Sequence, residues 1–193
     1  MLKLKNIIKK YKIAKDDFVV LDDVNLEIND GDYVAIMWPS WSWKSTLKNI
    51  IWLLDTTTSW EYFIDELKID KISDSKLSKI RRENIWFVFQ NYSLIPRLNI
   101  LEQVALPLLY QWVNSKIAHN KAIEALEKVW LGEKLKSKPN ELSGWQKQRV
   151  AIARAIVISP KLILADEPTW ALDTKTSEEI MNIFLCYVTS NFF

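Results

Sequence analysis

Glycine is the most conspicuous shortage in this sequence: three residues in 193, where about 7% usage leads one to expect roughly 13 in a soluble chain of that length. Cysteine is scarcer still. Cys186 stands alone, which excludes an internal disulfide and fits a reducing, cytoplasmic setting. No run approaches the roughly 18 apolar residues that a membrane span needs, and the lysine-rich stretch Met1 to Lys15 lacks the apolar core of a signal peptide. Any link to a membrane is therefore expected to come through a partner. Neither sign of charge dominates: 26 basic residues face 24 acidic ones for a net charge of +2, scattered along the chain, so no strong electrostatic footprint for nucleic acid is expected. The pairs Lys9-Lys10 and Arg81-Arg82 read as solvated faces. His119 is the only histidine, and it falls inside a helical stretch, where a surface position is expected.

What is present is ample for folding. With 49% hydrophobic and 26% charged residues, the composition is that of a globular protein, and a single domain over residues 1–193 is expected. Leu2 to Ile8 and Val24 to Ile28 alternate as half-buried strands do, and Asn29-Asp30-Gly31-Asp32 is a turn. Tyr33 to Met37 reads as a short apolar strand, followed by a small-polar loop and a helix over Lys44 to Leu54. Glu61 to Ile64, Ile85 to Phe89 and Lys161 to Ala165 read as further strands. Ser73 to Arg82, Leu101 to Tyr110, Ser115 to Val129, Gly144 to Ile158 and Thr174 to Cys186 read as helices. Strands separated by helices predict an α/β fold, with a mainly parallel sheet flanked by helices and an antiparallel β part at the N-terminus.

Three segments carry chemistry. Lys44-Ser45-Thr46 opens a helix after a strand and a loop, where a phosphate-binding loop must sit: the lysine meets phosphate charge and the serine hydroxyl meets Mg²⁺. The pattern G-x-x-x-x-G-K-S/T is matched by Trp38-Pro39-Ser40-Trp41-Ser42-Trp43-Lys44-Ser45-Thr46 everywhere except at its glycines. Leu162-Ile163-Leu164-Ala165-Asp166-Glu167 delivers two carboxylates to the end of an apolar strand, where ligands of open α/β sheets bind. Asp166 there is placed to hold Mg²⁺ and Glu167 to polarise an attacking water. Taken singly, these read equally as a solvated strand end and an ordinary exposed lysine; their order along the chain adds the weight.

The third segment, Leu142-Ser143-Gly144-Trp145-Gln146-Lys147-Gln148-Arg149-Val150-Ala151-Ile152-Ala153-Arg154-Ala155, resembles the signature helix of ATP-binding-cassette (ABC) proteins. The resemblance covers nearly the whole chain. Gln90 after Phe87-Val88-Phe89 looks like the Q-loop, a catalytic position that also ligates the metal; Asp166-Glu167-Pro168-Thr169 looks like the end of Walker B, and Ala171-Leu172-Asp173 like the D-loop. Tyr11 is placed like the aromatic residue that stacks on adenine, although a partly buried strand residue would read the same way. The stretch Phe87 to Pro96 and the helix containing Pro107 resemble the lipoprotein-release and macrolide-exporter group.

This resemblance implies a P-loop ATPase of ABC type, with a helical subdomain at about 91–142. It implies ATP and Mg²⁺ as ligands, with Ser45, Gln90 and Asp166 at the metal and Glu167 as the catalytic residue. A second nucleotide-binding domain, in a homodimer, would present its phosphates to Ser143, Gly144, Trp145 and Gln146. An integral membrane permease is the implied partner, with the chain peripheral at the cytoplasmic face of the membrane, and nucleic acid is not expected. The family continues beyond the last helix into another strand and a switch histidine. The chain stops at Phe193 and is expected to be truncated or frameshifted there.

Trp38, Trp41, Trp43, Trp145 and Trp170 stand where the family's motifs have glycine, and Trp52, Trp60, Trp86, Trp112 and Trp130 where members commonly carry it. Three glycines and ten tryptophans together make the number of glycines expected. One residue type replaced by one other, with the Lys, Ser, Asp and Glu of the motifs intact, reads as UGA codons decoded as glycine by the source and written as tryptophan. Two alternatives remain: a decayed, nucleotide-free cassette in which the tryptophans are genuine, and an ABC ATPase with no transport role.

Overall fold

Alternation from Leu2 onward builds a strand longer than its apolar pattern announces. In the computed structural model, which describes residues 1–13, 16–37, 41–69, 72–170 and 172–189 (without the side chains of 13, 41, 42, 59 and 60), β1 runs Leu2–Ile13 and β2 Asp16–Ile28. They pair antiparallel from Leu2↔Ile28 to Ile13↔Asp16, with register shifts around Ile7 and Lys9. The turn that follows forms as expected: Asp32 N donates to Asn29 O at 3.1 Å, and Gly31 takes φ +84°, a value glycine adopts without strain. β3 (Ser59–Ile64) pairs with the other edge of β1, and β4 (Leu67–Lys68) closes a four-stranded antiparallel sheet of order β2-β1-β3-β4.

The chain divides into two compact units, Met1–Ile85 and Trp86–Phe193. In the first, Leu4, Ile7, Leu21 and Tyr62 of the sheet are buried, as are Leu47, Ile50 and Ile51 of α1 (Trp41–Ile51). Tyr62 fastens β3 to that helix by donating its hydroxyl to Ile51 O at 2.8 Å, and burial holds its phenol far above the ordinary range. α2 (Asp74–Asn84) completes the unit.

The second unit begins on β5 (Ile85–Val88), which is paired with β6 (Leu162–Ala165). Around them lie α3 (Ile100–Tyr110), α4 (Ser115–Lys128), α5 (Gly144–Ile156) and α6 (Thr174–Thr189). α5 is the hub, buried at every position from Gln148 to Ile156. Arg149 ties it to its neighbours: Nη1 donates to Val129 O at 3.2 Å and Nη2 to Glu179 Oε2 at 2.6 Å. The guanidinium also lies 4.8 Å from the Trp130 ring and 4.7 Å from the Trp145 ring.

Three expectations need correction. Tyr33 to Met37 is not a strand: Val34, Ile36 and Met37 are exposed by 45%, 42% and 84%, because an apolar run becomes a central strand only where neighbouring strands accept its backbone on both sides. The loop before Lys44 is shorter than expected, since α1 already starts at Trp41. Tryptophan and serine join a helix at modest cost, whereas glycine resists by about 1 kcal/mol per residue. The lysine and arginine pairs are only half solvated. Lys9 is 8% exposed and salt-bridged to Asp55 at 2.6 Å, and Arg81 donates to Leu53 O at 2.8 Å; each covers a polar group that its own sequence neighbours do not announce.

His119 is half-buried on α4, its Nδ1 2.7 Å from Ser115 O one turn earlier. Replacing Tyr62 by Phe leaves Ile51 O, in the last turn of α1, without its donor inside the core. Urea unfolding is expected to register a loss of about 1–3 kcal/mol, and an unchanged midpoint would mean that the bond contributes nothing to holding α1.

Candidate functional site

The residues expected from the sequence to meet nucleotide in the first unit are Tyr11 on β1 and the segment that leads into α1. Trp38, Pro39 and Ser40 lie outside the described residues, and Trp41 and Ser42 are placed by their backbone alone, in the first turn of α1. Trp43 and Lys44 are half-buried, Ser45 exposed and Thr46 buried. Tyr11 reaches this helix, with its hydroxyl bonded to the Thr46 side chain and donated to Asp55 Oδ2 at 2.7 Å. Burial first, then the Asp55 carboxylate, hold its phenol above the ordinary value. Lys9 Nζ sits 4.8 Å from the Tyr11 ring centroid while bonding Asp55. Burial pushes the Asp55 carboxyl up, but Lys9, Tyr11 and the Thr56 N–H together bring it below the usual range. One face of the Tyr11 ring therefore carries a cation, and the ring is 38% exposed.

The second unit brings together residues far apart in sequence. Gln90, just past β5, donates Nε2 to Glu167 Oε2 at 2.9 Å. β6 delivers Asp166, whose N–H bonds Val88 O at 3.0 Å, so the two strands place the amide and the carboxylates side by side. Glu167 itself has φ +47°, left-handed backbone that costs an ordinary residue of order 1 kcal/mol or more and is concentrated at functional positions. Beyond it, Asp173 caps α6, accepting from Thr176 N at 3.0 Å and Thr176 Oγ1 at 2.6 Å; those bonds to Thr176 hold its carboxyl below the usual value.

The signature segment begins α5. Ser143 is the N-cap, and its N–H donates to Gln146 Oε1 at 3.0 Å, which turns the two side chains into part of the helix start. Gly144 is small for a reason the motif alone does not give: a Cβ there would lie 3.2 Å from the Tyr92 hydroxyl. Trp145 is 36% exposed.

Three positions with no role in the sequence reading hold these groups. Lys9 and Asp55 fix Tyr11, as described. Arg154, 8% exposed on α5, donates Nη1 to Ser93 O at 2.7 Å and Nη2 to Tyr92 O at 2.8 Å. It thereby clamps two successive left-handed residues, Tyr92 at φ +63° and Ser93 at φ +47°, just after Gln90. Burial draws the guanidinium pKa down to about 10, which leaves it a cation at neutral pH. The available signal was a charged residue on the buried face of an otherwise apolar helix.

Comparison with known proteins makes the class specific. The sequence pattern of the ABC transporter family matches residues 21–170. The chain is 53% identical over 184 residues to the uncharacterized ABC transporter ATP-binding protein YknY of Bacillus subtilis, spanning 95% of this chain and 80% of that protein. It is 42% identical over 183 residues to the macrolide export ATP-binding/permease protein MacB of Bdellovibrio bacteriovorus, covering 95% of this chain and 28% of that one.

Among solved structures, the dimeric post-hydrolysis state of the ATP-binding cassette MJ0796 bound to ADP and Pi superposes with a TM-score of 0.86. It is 46% identical, and the match covers 99% of this chain and 84% of that one. The chain belongs to the ABC transporter family, and it is an ATP-binding subunit of a transporter system. Among the described residues, no helix is long and apolar enough to cross a membrane.

Arg154→Met removes two charge-assisted bonds from carbonyls held in a strained loop. Unfolding in urea is expected to show a loss of about 2–4 kcal/mol, with Arg154→Lys recovering part of it through the retained charge. An Arg154→Met protein as stable as its parent would show that the loop after Gln90 holds itself.

Proposed function

We propose that this chain is a Mg²⁺-dependent ATPase that converts ATP-driven closure of two copies of itself into work on a separate permease. The observation that carries the reading is the Gln90–Glu167 hydrogen bond, formed between residues 77 apart in sequence. It supports their assignment to one catalytic centre.

The donor set fits the metal. Ser45 offers a hydroxyl, Asp166 a carboxylate and Gln90 a carbonyl oxygen, left available because its NH₂ is the group spent on Glu167; hard oxygen ligands of this kind suit Mg²⁺. When bound, the ion neutralises charge on the transferring phosphoryl group. The chain's own residues do the rest. The segment Trp38 to Thr46, with Lys44 as its cation, holds the phosphates, and Tyr11 stacks on adenine, its ring fixed by Asp55 and Lys9. Glu167 polarises the attacking water. Ser143, Gly144, residue 145 and Gln146 meet the nucleotide held by the second copy, with Asp173 beside them as the D-loop. Residues 1–193 act as one cassette domain with a helical part at about 91–142, docked at the cytoplasmic face of the membrane through the permease.

One observation favours a second reading for the sequence as it stands. With helix α1 starting at Trp41, residues 41–43 are helical and not a loop that wraps an anion, as in a nucleotide-free cassette.

In a parent carrying glycine at positions 38, 41, 43 and 145, Glu167→Gln is expected to cut ATP turnover by about 10²–10⁴-fold while ATP affinity stays within a few-fold. Steady-state hydrolysis and nucleotide titration measure the two separately, and undiminished turnover removes Glu167 from the role. Affinity capture from membranes of the source is expected to recover an integral membrane permease; recovery with ribosomes or DNA alone would assign the chain to the non-transport cassettes.

A further inference from the structure

Helices commonly end with one residue in left-handed backbone, just past the C-cap, because that geometry returns the last carbonyls to the N–H groups that follow; the residue is usually glycine. α3 ends this way on Trp112. Its φ is +62°, its N–H bonds Leu109 O at 3.0 Å, and the next N–H, of Val113, bonds Leu108 O at 3.1 Å. α4 repeats the arrangement on Trp130. There φ is +58°, Trp130 N bonds Glu127 O at 2.9 Å, and Leu131 N bonds Leu126 O at 2.8 Å.

Both helix ends are complete motifs in which the chain geometry is fixed and only the side chain is wrong. Left-handed φ for a bulky residue is an outlier, and neither indole enters the core: Trp112 is 92% exposed and Trp130 65%. A third tryptophan misfits in the opposite way. Trp86 in β5 packs against the core with its indole Nε1 buried and unpartnered, a donor that interiors rarely leave unsatisfied.

These three positions lie outside the nucleotide-binding segments, so their misfit does not depend on what the protein binds. They belong to the ten tryptophans whose number, added to the three glycines, restores ordinary glycine usage. The remaining glycines behave as glycines should where the structure tests them: Gly31 has φ +84°, and Gly144 lies under the Tyr92 hydroxyl. We infer that the natural protein carries glycine at all ten tryptophan positions, its gene using for glycine a codon, UGA, that the written sequence renders as tryptophan. The left-handed ends of α3 and α4 are then unstrained, and the segment before Lys44 holds three glycines whose N–H groups an anion can approach to about 3 Å.

Trp130 alone has a contact to weigh on the other side, since its ring covers the Arg149 guanidinium at 4.8 Å. Trp112 has no such complication, and it supplies the physical test. Trp112→Gly is expected to raise the melting temperature by about 2–4 °C, whereas Trp112→Ala, which removes the indole but keeps a Cβ at positive φ, is expected to gain much less. Equal gains would mean that the indole and not the backbone is the misfit, against the inference.

The direct test is mass spectrometry of the protein from its source. Peptides spanning residues 98–116 and 129–134 are expected to carry glycine at 112 and 130, and tryptophan in either would overturn the inference whatever the protein hydrolyses. ATP titration then separates this inference from the functional reading. Glycine peptides combined with no ATP binding would uphold the one and defeat the other.

Discussion

Burial of α5 from Gln148 to Ile156 is the constraint on which the second unit rests. A helix enclosed along its length can carry charge only where each charged group finds a partner, and it carries two arginines. Arg149 binds the last carbonyl of the α4 region and a carboxylate of α6. Arg154 binds two carbonyls of the loop after Gln90. The positions of α4, α6 and that loop are therefore set from one helix. Removing a partner would leave a desolvated charge or bare carbonyls, and each of those costs more than the bond itself contributes.

The same helix begins with Ser143 and Gly144, so one rigid body joins the signature end to the loop that follows Gln90. Tyr92 closes the path, with its carbonyl on Arg154 and its hydroxyl against Gly144. A displacement of that loop cannot be absorbed locally: its carbonyls are gripped at one end of α5, and its Tyr92 hydroxyl lies close over Gly144 at the other. Packed interiors pass on such strain because they contain little free volume.

The elements set by periodicity were legible in the sequence. α3 and α4 differ from expectation by a residue at one end, and β3, α2 and α5 by a couple. β1 and β2 ran well past their apolar cores because paired edges extend as far as hydrogen bonds form, whatever the side chains. Of the residues singled out in the sequence, Gln90 and Glu167 are brought into contact. What supports them was not legible. Lys9 looked like half of a solvated pair, and Arg154 like one letter of a motif, because burial of a charge is decided by its partner, and Asp55 and Ser93 lie 46 and 61 residues away. Tyr33 to Met37 misled for a related reason: an apolar pentapeptide states that it can be a strand but not that neighbours will be there.

The bare ends of α3 and α4 carry a consequence for how the protein is observed. Trp112 and Trp130 project indoles into solvent, where they emit as hydrated fluorophores and offer sticky aromatic surface to other molecules. With glycine at these and the eight other positions, the chain holds no indole at all, and its ultraviolet signal falls to six tyrosines. Of these, Tyr62 is locked in the core of the first unit, and Tyr11 beside α1 carries the proposed contact with nucleotide. Such a protein is nearly dark to tryptophan spectroscopy and clean in the tyrosine band, which makes the ring proposed to stack on adenine the natural optical probe of the site.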